Sequence, residues 1–535
     1  MKLTEFTEKC ENCRKAQQET LHSIIKFAAE SDYGKQHGFS HIKTYKDFRK
    51  NLPVNEWKDL APYAEKAENG IPDQLFPEMP QLFIITSGTT GKEKILPESR
   101  RGLEAKKEVT LLRIEAIKKF APDLFDAKIL PLTNKAVYGH TPSGIPYGSA
   151  SGVTLMTAPD ALKKLTAYPF PALEIEDPEA MDYVIMRFAV TEDIRFIAAN
   201  NAGRIAAMTR LAADNPEILL RDIADGTVSE KFALSAEKYK LLEPFLTPAP
   251  EKARKLEQSL NEHGKLSPGI SYWHHLRTVN CWLSSSIGRY VEPLKAEMPE
   301  SVLFFDIGYG ATEGKFTIPL EPDLSAALLA ISSYFFEFIP QGMPETETVT
   351  ADCLEDGGIY EIIITSFSGL YRYRMKDLVK VEGFLGTTPR IVFQSKTGEI
   401  ADICGEKLAA SVIIDAVNKA SGQTGIIPEH WCVVPDTGKS AYIFHIELKN
   451  NEPIPAENTP EILAQAIEKE LFGNGILPYP VFRRQHLLNP AEVVIMRSGW
   501  RDTLVDTTKK SGGINQLKLP VIYQTVPLPH FIKPV

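Results

Sequence analysis

The segment "QLFIITSGTTGKEKILPESRRGLEAKKEVTLLRI" runs from a short apolar strand pattern into a glycine loop, then into a helical pattern from about Arg101 to Phe120. That order confines the chain to layered α/β architecture, and strand-like runs "VLFFDI", "IYEIIIT" and "RIVFQ" recur later between helical or irregular stretches. Between Ile84 and Pro97 the loop region holds two glycines, four hydroxyl side chains and two lysines. Backbone N–H groups of such a loop, with a helix N-terminus behind them, favour a bound anion. A Walker loop is excluded. Only two residues separate Gly88 from Gly91, and Lys92 is followed by Glu93 where a Ser or Thr would be needed.

At 535 residues the chain is too long for one hydrophobic core and predicts several domains. Its net charge of −9, with no basic run, argues against nucleic-acid binding. The N-terminus lacks the apolar segment of a signal peptide, and the stretch from Leu324 to Phe336 is too short to span a bilayer. A cytoplasmic protein without a membrane partner is expected. Six cysteines in such a chain read as free thiols. Cys10 and Cys13 form a CxxC, but no second ligand pair exists for zinc, and the segment is helix-like, unlike a redox strand–helix turn. His274 and His275 read as packing or surface residues.

The first forty residues predict an amphipathic helix (Leu21, Ile24, Ile25, Ala28) ending near Gly34. The character of the chain changes around Lys396. Beyond it, helices near Ala409–Ala420 and Pro460–Leu471 and the alternating run "AYIFHIEL" predict a smaller α+β domain. The expected division is 1–395 and 396–535, with a hinge between Lys396 and Gly398, since glycine best absorbs a backbone rotation.

Two further segments carry chemistry. In "LFFDIGYGATEG" an apolar strand ends in a glycine turn presenting Tyr309, Gly310, Thr312 and Glu313. An aromatic face can stack on a purine, a hydroxyl can bond a phosphate oxygen, and a carboxylate can hold the Mg²⁺ that accompanies ATP. A dinucleotide fingerprint is excluded by the three residues between Gly310 and Gly314. A plain strand-end turn is the competing reading. In "GLYRYRMKDLVKVEGF", Asp377 follows a Tyr-Arg pair at the end of a polar turn, where the apolar strand "LVKV" starts; it could accept both ribose hydroxyls, or could simply be a turn residue at a strand start.

"TSGTTGKEK", "YGATEG", the Tyr-Arg-x-x-Asp turn and "GEKL" at Gly405 to Leu408 stand in the order of the adenylate-forming superfamily, which the chain resembles. "YFFEFIP", "YEIIITSFSGLYRYRMKDLVKVEGF" and "INQLKLP" narrow the resemblance to the auxin-responsive acyl acid-amido synthetase family, over roughly Tyr33 to Tyr523. The resemblance implies a large N-terminal domain binding ATP and an acyl acid, and a mobile C-terminal domain. It also implies that Thr86, Ser87, Gly88, Thr89 and Thr90 cradle the triphosphate, with Lys92 or Lys94 adding charge. Tyr309 would stack near adenine, Gly310 would also belong to the cofactor-binding residues, Thr312 would bond the α-phosphate, Glu313 would ligate Mg²⁺, and Asp377 would hold the ribose. Ser284 to Ser286 would line the adenine side, and Lys518 would bring charge to the leaving pyrophosphate. The chain departs from the family at Lys376, where Gly is usual, and at Lys396 and Gly398, which replace the superfamily's hinge Arg and its Asp or Lys. The implied partners are a small carboxylic acid and an amine, an amino acid in the family. An acyl-CoA synthetase and a nucleotide-binding protein without turnover are the alternatives. Neither the acid, the amine nor the oligomeric state is written in the residues.

Overall fold

The computed structural model describes residues 1–86, 94–232, 234–284, 291–396, 400–401, 403, 406, 408–449, 459–473, 479–480, 483, 487–510 and 519–532. The chain is mixed α/β and divides into two compact units, Met1–Phe393 and Gln394–Val535.

Three sheets organise the larger unit. In the first, strand Leu82–Thr86 pairs antiparallel with Lys94–Glu98, so that Thr86 faces Lys94 across the mouth of the glycine loop. Strand Pro146–Gly148 lies parallel on the other side of Leu82–Thr86. The second sheet is parallel throughout, in the order Lys128–Leu132, Ile194–Ala199, Thr278–Cys281 and Leu303–Asp306. Helices Pro178–Ala189 and Ala202–Asp214 pack Val184, Ile185, Ile205 and Met208 into one core with Leu130, Ile197, Val279 and Phe304 of its strands, while Ile129, Phe196 and Phe305 join a second cluster with Ile117, Ala121 and Leu124. The third sheet has seven strands, with Tyr373–Leu385 and Ile359–Thr365 near its centre. The apolar stretch from Leu324 to Phe336 falls here, divided between the strands Ala327–Leu329 and Phe335–Pro340.

The N-terminal amphipathic segment is not one helix. It forms Leu3–Cys10, Cys13–Ala28 and Asp32–Gln36. The first break comes at Asn12, whose side chain accepts from Lys15 N–H and starts a new helix, as an N-cap Asn does. Cys10 and Cys13 flank that break, both buried, and burial pushes both thiols up to about 12. Neither is a reactive thiolate near neutral pH.

In the smaller unit, Ala441–Leu448 pairs antiparallel with Pro428–Asp436 and parallel with Glu492–Met496. Helices Ala410–Thr424 and Thr459–Gly473 bury Ile413, Val417, Leu463 and Ile467 with Trp431, Phe444 and Ile446 of the sheet.

Candidate active site

The glycine-turn motif begins where the parallel sheet ends. Cys281 and Asp306 are in register at the carboxyl ends of neighbouring strands, the side on which open α/β sheets hold ligands. Asp306 is the buried pivot. Its Oδ1 accepts from Gly308 N–H at 2.6 Å and its Oδ2 from Leu283 N–H at 2.9 Å. It thereby ties the segment before Ser284 to the start of the glycine turn. Burial raises its carboxyl to about 6, while those two donors and Arg113 pull in the other direction. Gly308 has φ +82°, and a Cβ there would meet Arg113 Nη2 at 2.6 Å and the Thr317 carbonyl at 2.8 Å. Only glycine fits.

Beyond Gly308 the chain makes a minimal hairpin. Gly310–Ala311 and Gly314–Lys315 pair antiparallel, with Ala311 opposite Gly314. Thr312 and Glu313 are therefore the two loop residues at its tip, both partly exposed. A hairpin of two residues per strand has little stability of its own. It is held from behind: Tyr309 N–H donates to Thr317 Oγ1 at 2.8 Å, and Lys315 N–H to the Tyr334 hydroxyl at 3.1 Å. Lys315 Nζ donates to Thr110 Oγ1 at 2.6 Å, and burial beside Arg113 and Lys106 pulls this amine down to about 7.

The second motif lies in the seven-stranded sheet. Asp377 is not at a strand start. It sits inside the strand Tyr373–Leu385, where Ile362 of the neighbouring strand faces Met375, Lys376 and Asp377. Such a bulge re-aims side chains. Lys376 takes φ +57° at this bulge, the left-handed conformation that glycine adopts without strain. At this position, where the family usually has Gly, the long side chain is exposed and pairs with Glu56 Oε1 at 2.8 Å.

The two motifs meet. Tyr309 Oη donates to Asp377 Oδ2 at 2.7 Å, with both residues buried. The Tyr309 ring stacks on Phe393 with centroids 5.6 Å apart. Burial first, then Asp377 and Glu313, push the Tyr309 hydroxyl well above its ordinary value, so it remains a donor. Burial first, then Glu313 and Asp377, raise the Tyr373 hydroxyl above its ordinary value, and that hydroxyl is 3.2 Å from Lys94 Nζ. Lys94 is the first described residue after the glycine loop. Three segments distant in sequence thus converge on one patch.

Residues 2–303 match the GH3 family N-terminal domain, 327–396 the GH3 family central domain and 411–527 the GH3 family C-terminal domain. The chain belongs to the GH3 family. Among its relatives, indole-3-acetic acid-amido synthetase GH3.10 of Arabidopsis thaliana is 23% identical, over 96% of this chain and 93% of its own. The 4-substituted benzoates-glutamate ligase GH3.12 of the same plant is 23% identical, over 88% and 86%. The solved structure of AtGH3.15 acyl acid amido synthetase in complex with 2,4-DB superimposes with a TM-score of 0.83 at 19% identity, covering 98% of this chain and 94% of that one.

Of the residues expected to act in this GH3 protein, the structure brings together Lys94, Tyr309, Gly310, Thr312, Glu313 and Asp377. Thr86 ends the strand before the loop, opposite Lys94. Ser87, Gly88, Thr89, Thr90, Lys92, Ser285, Ser286, Gly398, Gly405, Lys407 and Lys518 lie outside the described residues. His274 and His275 are exposed, with His275 Nδ1 3.1 Å from Asp193 Oδ1. Sequence reasoning missed Asp306, Tyr373, Lys106 and Lys315. An acidic residue closing the buried run "VLFFD" is the one signal that could have exposed Asp306.

Proposed function

We propose that this GH3 protein is an ATP-dependent acyl acid-amido synthetase. It is a ligase, activating a carboxylic acid as its acyl-adenylate and transferring the acyl group to an amine, an amino acid by class. The observation that carries this reading is the Tyr309–Asp377 hydrogen bond, which puts the glycine turn and the strand bulge at one place beside Lys94. The activities of the relatives suggest the substrate classes: indole-3-acetic acid and substituted benzoates as acids, glutamate as amine.

In the first step a carboxylate oxygen attacks the α-phosphorus of ATP, and the bond to pyrophosphate breaks. Two anions must approach, so positive charge and N–H donors are what this site has to supply. The loop Thr86 to Thr90 with Lys92 or Lys94 takes the triphosphate, Thr312 bonds the α-phosphate, and Lys518 of the small domain would deliver positive charge to the departing pyrophosphate. Asp377 accepts the ribose hydroxyls beside Tyr309 and Gly310, and Ser284 to Ser286 line the adenine side. Glu313 fits Mg²⁺: it is a carboxylate at a partly exposed tip next to a hydroxyl, and Mg²⁺ with nucleotides commonly takes one or two carboxylates together with substrate phosphates. Mg²⁺ would supply charge neutralisation of the phosphates. In the second step the amine nitrogen attacks the acyl carbon, the C–O bond to AMP breaks, and the amine gives up a proton. The division into an ATP- and acid-binding domain, 1–395, and a mobile domain, 396–535, belongs to this proposal, as does a cytoplasmic location. Among the described residues no helix is long and apolar enough to cross a membrane.

ATP–pyrophosphate exchange with a panel of aryl and indolyl acids tests the first step. AMP release on adding amino acids, set beside coenzyme A, tests the second. No exchange with any acid would overturn the reading, and faster release with the thiol would turn it to an acyl-CoA synthetase.

A further inference from the structure

The helix Arg100–Lys118 grips the site with one stripe of side chains. Positions 102, 106, 110 and 113 are three or four residues apart and so share a face. Each meets a different part of the machinery. Gly102 lets the helix approach Ser368 so closely that a Cβ would lie 1.8 Å from Ser368 Oγ. Lys106 Nζ donates to the Thr312 carbonyl at 3.1 Å. Thr110 Oγ1 receives Lys315 Nζ, and Arg113 donates to the Thr317 carbonyl through Nε at 2.9 Å and Nη2 at 2.6 Å.

Lys106 differs from the others in what stands behind it. Its Nζ also pairs with Glu98 Oε1, and Glu98 Oε2 accepts from Ser368 Oγ at 2.8 Å. Glu98 is 1% exposed and is the last residue of the strand that leaves the glycine loop. A continuous path therefore runs from that strand, through Glu98 and Lys106, to the peptide between Thr312 and Glu313. That peptide is the middle of a two-residue hairpin loop, outside the two residue pairs of the ladder. Its orientation sets where the Thr312 hydroxyl and the Glu313 carboxylate point.

We propose that Lys106, anchored by Glu98, is a positioning residue that fixes the Thr312–Glu313 turn relative to the strand leaving the glycine loop. The proposal rests on the reading of Glu313 as the metal-binding carboxylate. Groups that orient ligands from behind typically change metal affinity by about 10- to 100-fold when removed.

The test is Mn²⁺ titration of the ATP complex, with free Mn²⁺ followed by electron paramagnetic resonance. This measures affinity and does not depend on what fraction of the sample turns over. Lys106→Met alone would strand the Glu98 carboxylate, so the informative variant is Glu98→Gln with Lys106→Met, run beside Lys106→Arg and Glu313→Gln. The double variant is expected to bind Mn²⁺ about tenfold more weakly, with ATP affinity in the absence of metal changed by less than about threefold. Lys106→Arg, which keeps charge and donors, should recover most of that loss. If Glu313→Gln weakens Mn²⁺ and the folded double variant does not, the positioning role is overturned while the metal reading stands. If Glu313→Gln leaves Mn²⁺ affinity unchanged, the metal reading fails and the proposal falls with it.

Discussion

Tyr309 and Asp377, 68 residues apart in the chain, are joined by a buried 2.7 Å hydrogen bond from phenol to carboxylate. The bond pre-orients a carboxylate that the proposed reaction uses on ribose. Asp377→Ala is expected to raise the KM for ATP about 10- to 100-fold with a smaller effect on kcat. One hydrogen bond to a charged acceptor contributes about 1.5–3 kcal/mol, and each 1.4 kcal/mol is tenfold in affinity. Steady-state exchange kinetics check this. An unchanged KM would reduce Asp377 to a structural partner of Tyr309.

Glu313→Gln keeps the size of a side chain at a hairpin tip, where it is partly exposed. The fold should therefore persist, with a Tm close to the parent. Pyrophosphate exchange should fall by at least about 10²-fold, the scale on which a single electrostatic group in an active site acts. Near-normal exchange in a folded variant would remove Glu313 from the chemistry.

The contrast between these two residues shows how far the sequence could be read. The strand leading to the glycine loop, the strand "VLFFD" and the turn after it were legible because apolar runs and glycine punctuation are local signals. Asp377 was placed at a strand start because "YRYRMKD" looks polar. In fact Tyr373 to Asp377 begin a 13-residue strand whose bulge is specified by its neighbour, Ile359–Thr365. Bulges depend on pairing, which no single segment encodes. Lys106 and Arg113 were illegible for a related reason. A charged residue on a helix reads as solvent-facing, and only the tertiary packing of the Thr312–Thr317 segment reveals carbonyls waiting for donors. The N-terminal helix was over-extended because amphipathic periodicity continued past Asn12, while the cap chemistry of a single residue ended one helix and began the next.

Lys376 stores backbone strain that a change of residue should expose. Its φ of +57° is tolerable for an unbranched side chain and poor for a β-branched one. Lys376→Val is expected to lower stability by about 2 kcal/mol, the scale of one strained residue. Lys376→Gly should stay within about 1 kcal/mol of the parent, because relief of strain is offset by the greater freedom of glycine in the unfolded chain. The lost pair with Glu56 adds little, since the Lys376 side chain is 52% exposed. Urea midpoints compare the three chains. Equal losses in both variants would mean that the Lys376 side chain, and not its backbone, matters.

His445 gives the smaller domain a pH dependence with a defined sign. It lies on the central strand Ala441–Leu448, opposite Cys432 and Val494, with Nδ1 buried and without a hydrogen-bond partner among the described residues. Burial lowers its pKa from 6.5 to about 4, only partly opposed by the Ile443 backbone. Glu447 follows two residues on, but its carboxylate already accepts the Gly499 and Arg501 N–H groups at 2.6 and 2.7 Å. Since the folded value lies below the unfolded one, the unfolded chain takes up the proton first as pH falls. The stability contributed by neutral His445 is complete above about pH 6.5 and is lost as the pH drops toward 4. At 1.36 kcal/mol per unit this amounts to ~3 kcal/mol. His445→Leu removes the titration, so its stability relative to the parent should improve steadily as the pH is lowered from 7 to 4.5. Urea unfolding of both chains at pH 7, 5.5 and 4.5 measures that difference. A constant gap across the three values would place the acid sensitivity on other groups, with His445 acting only through its packing beside Cys432.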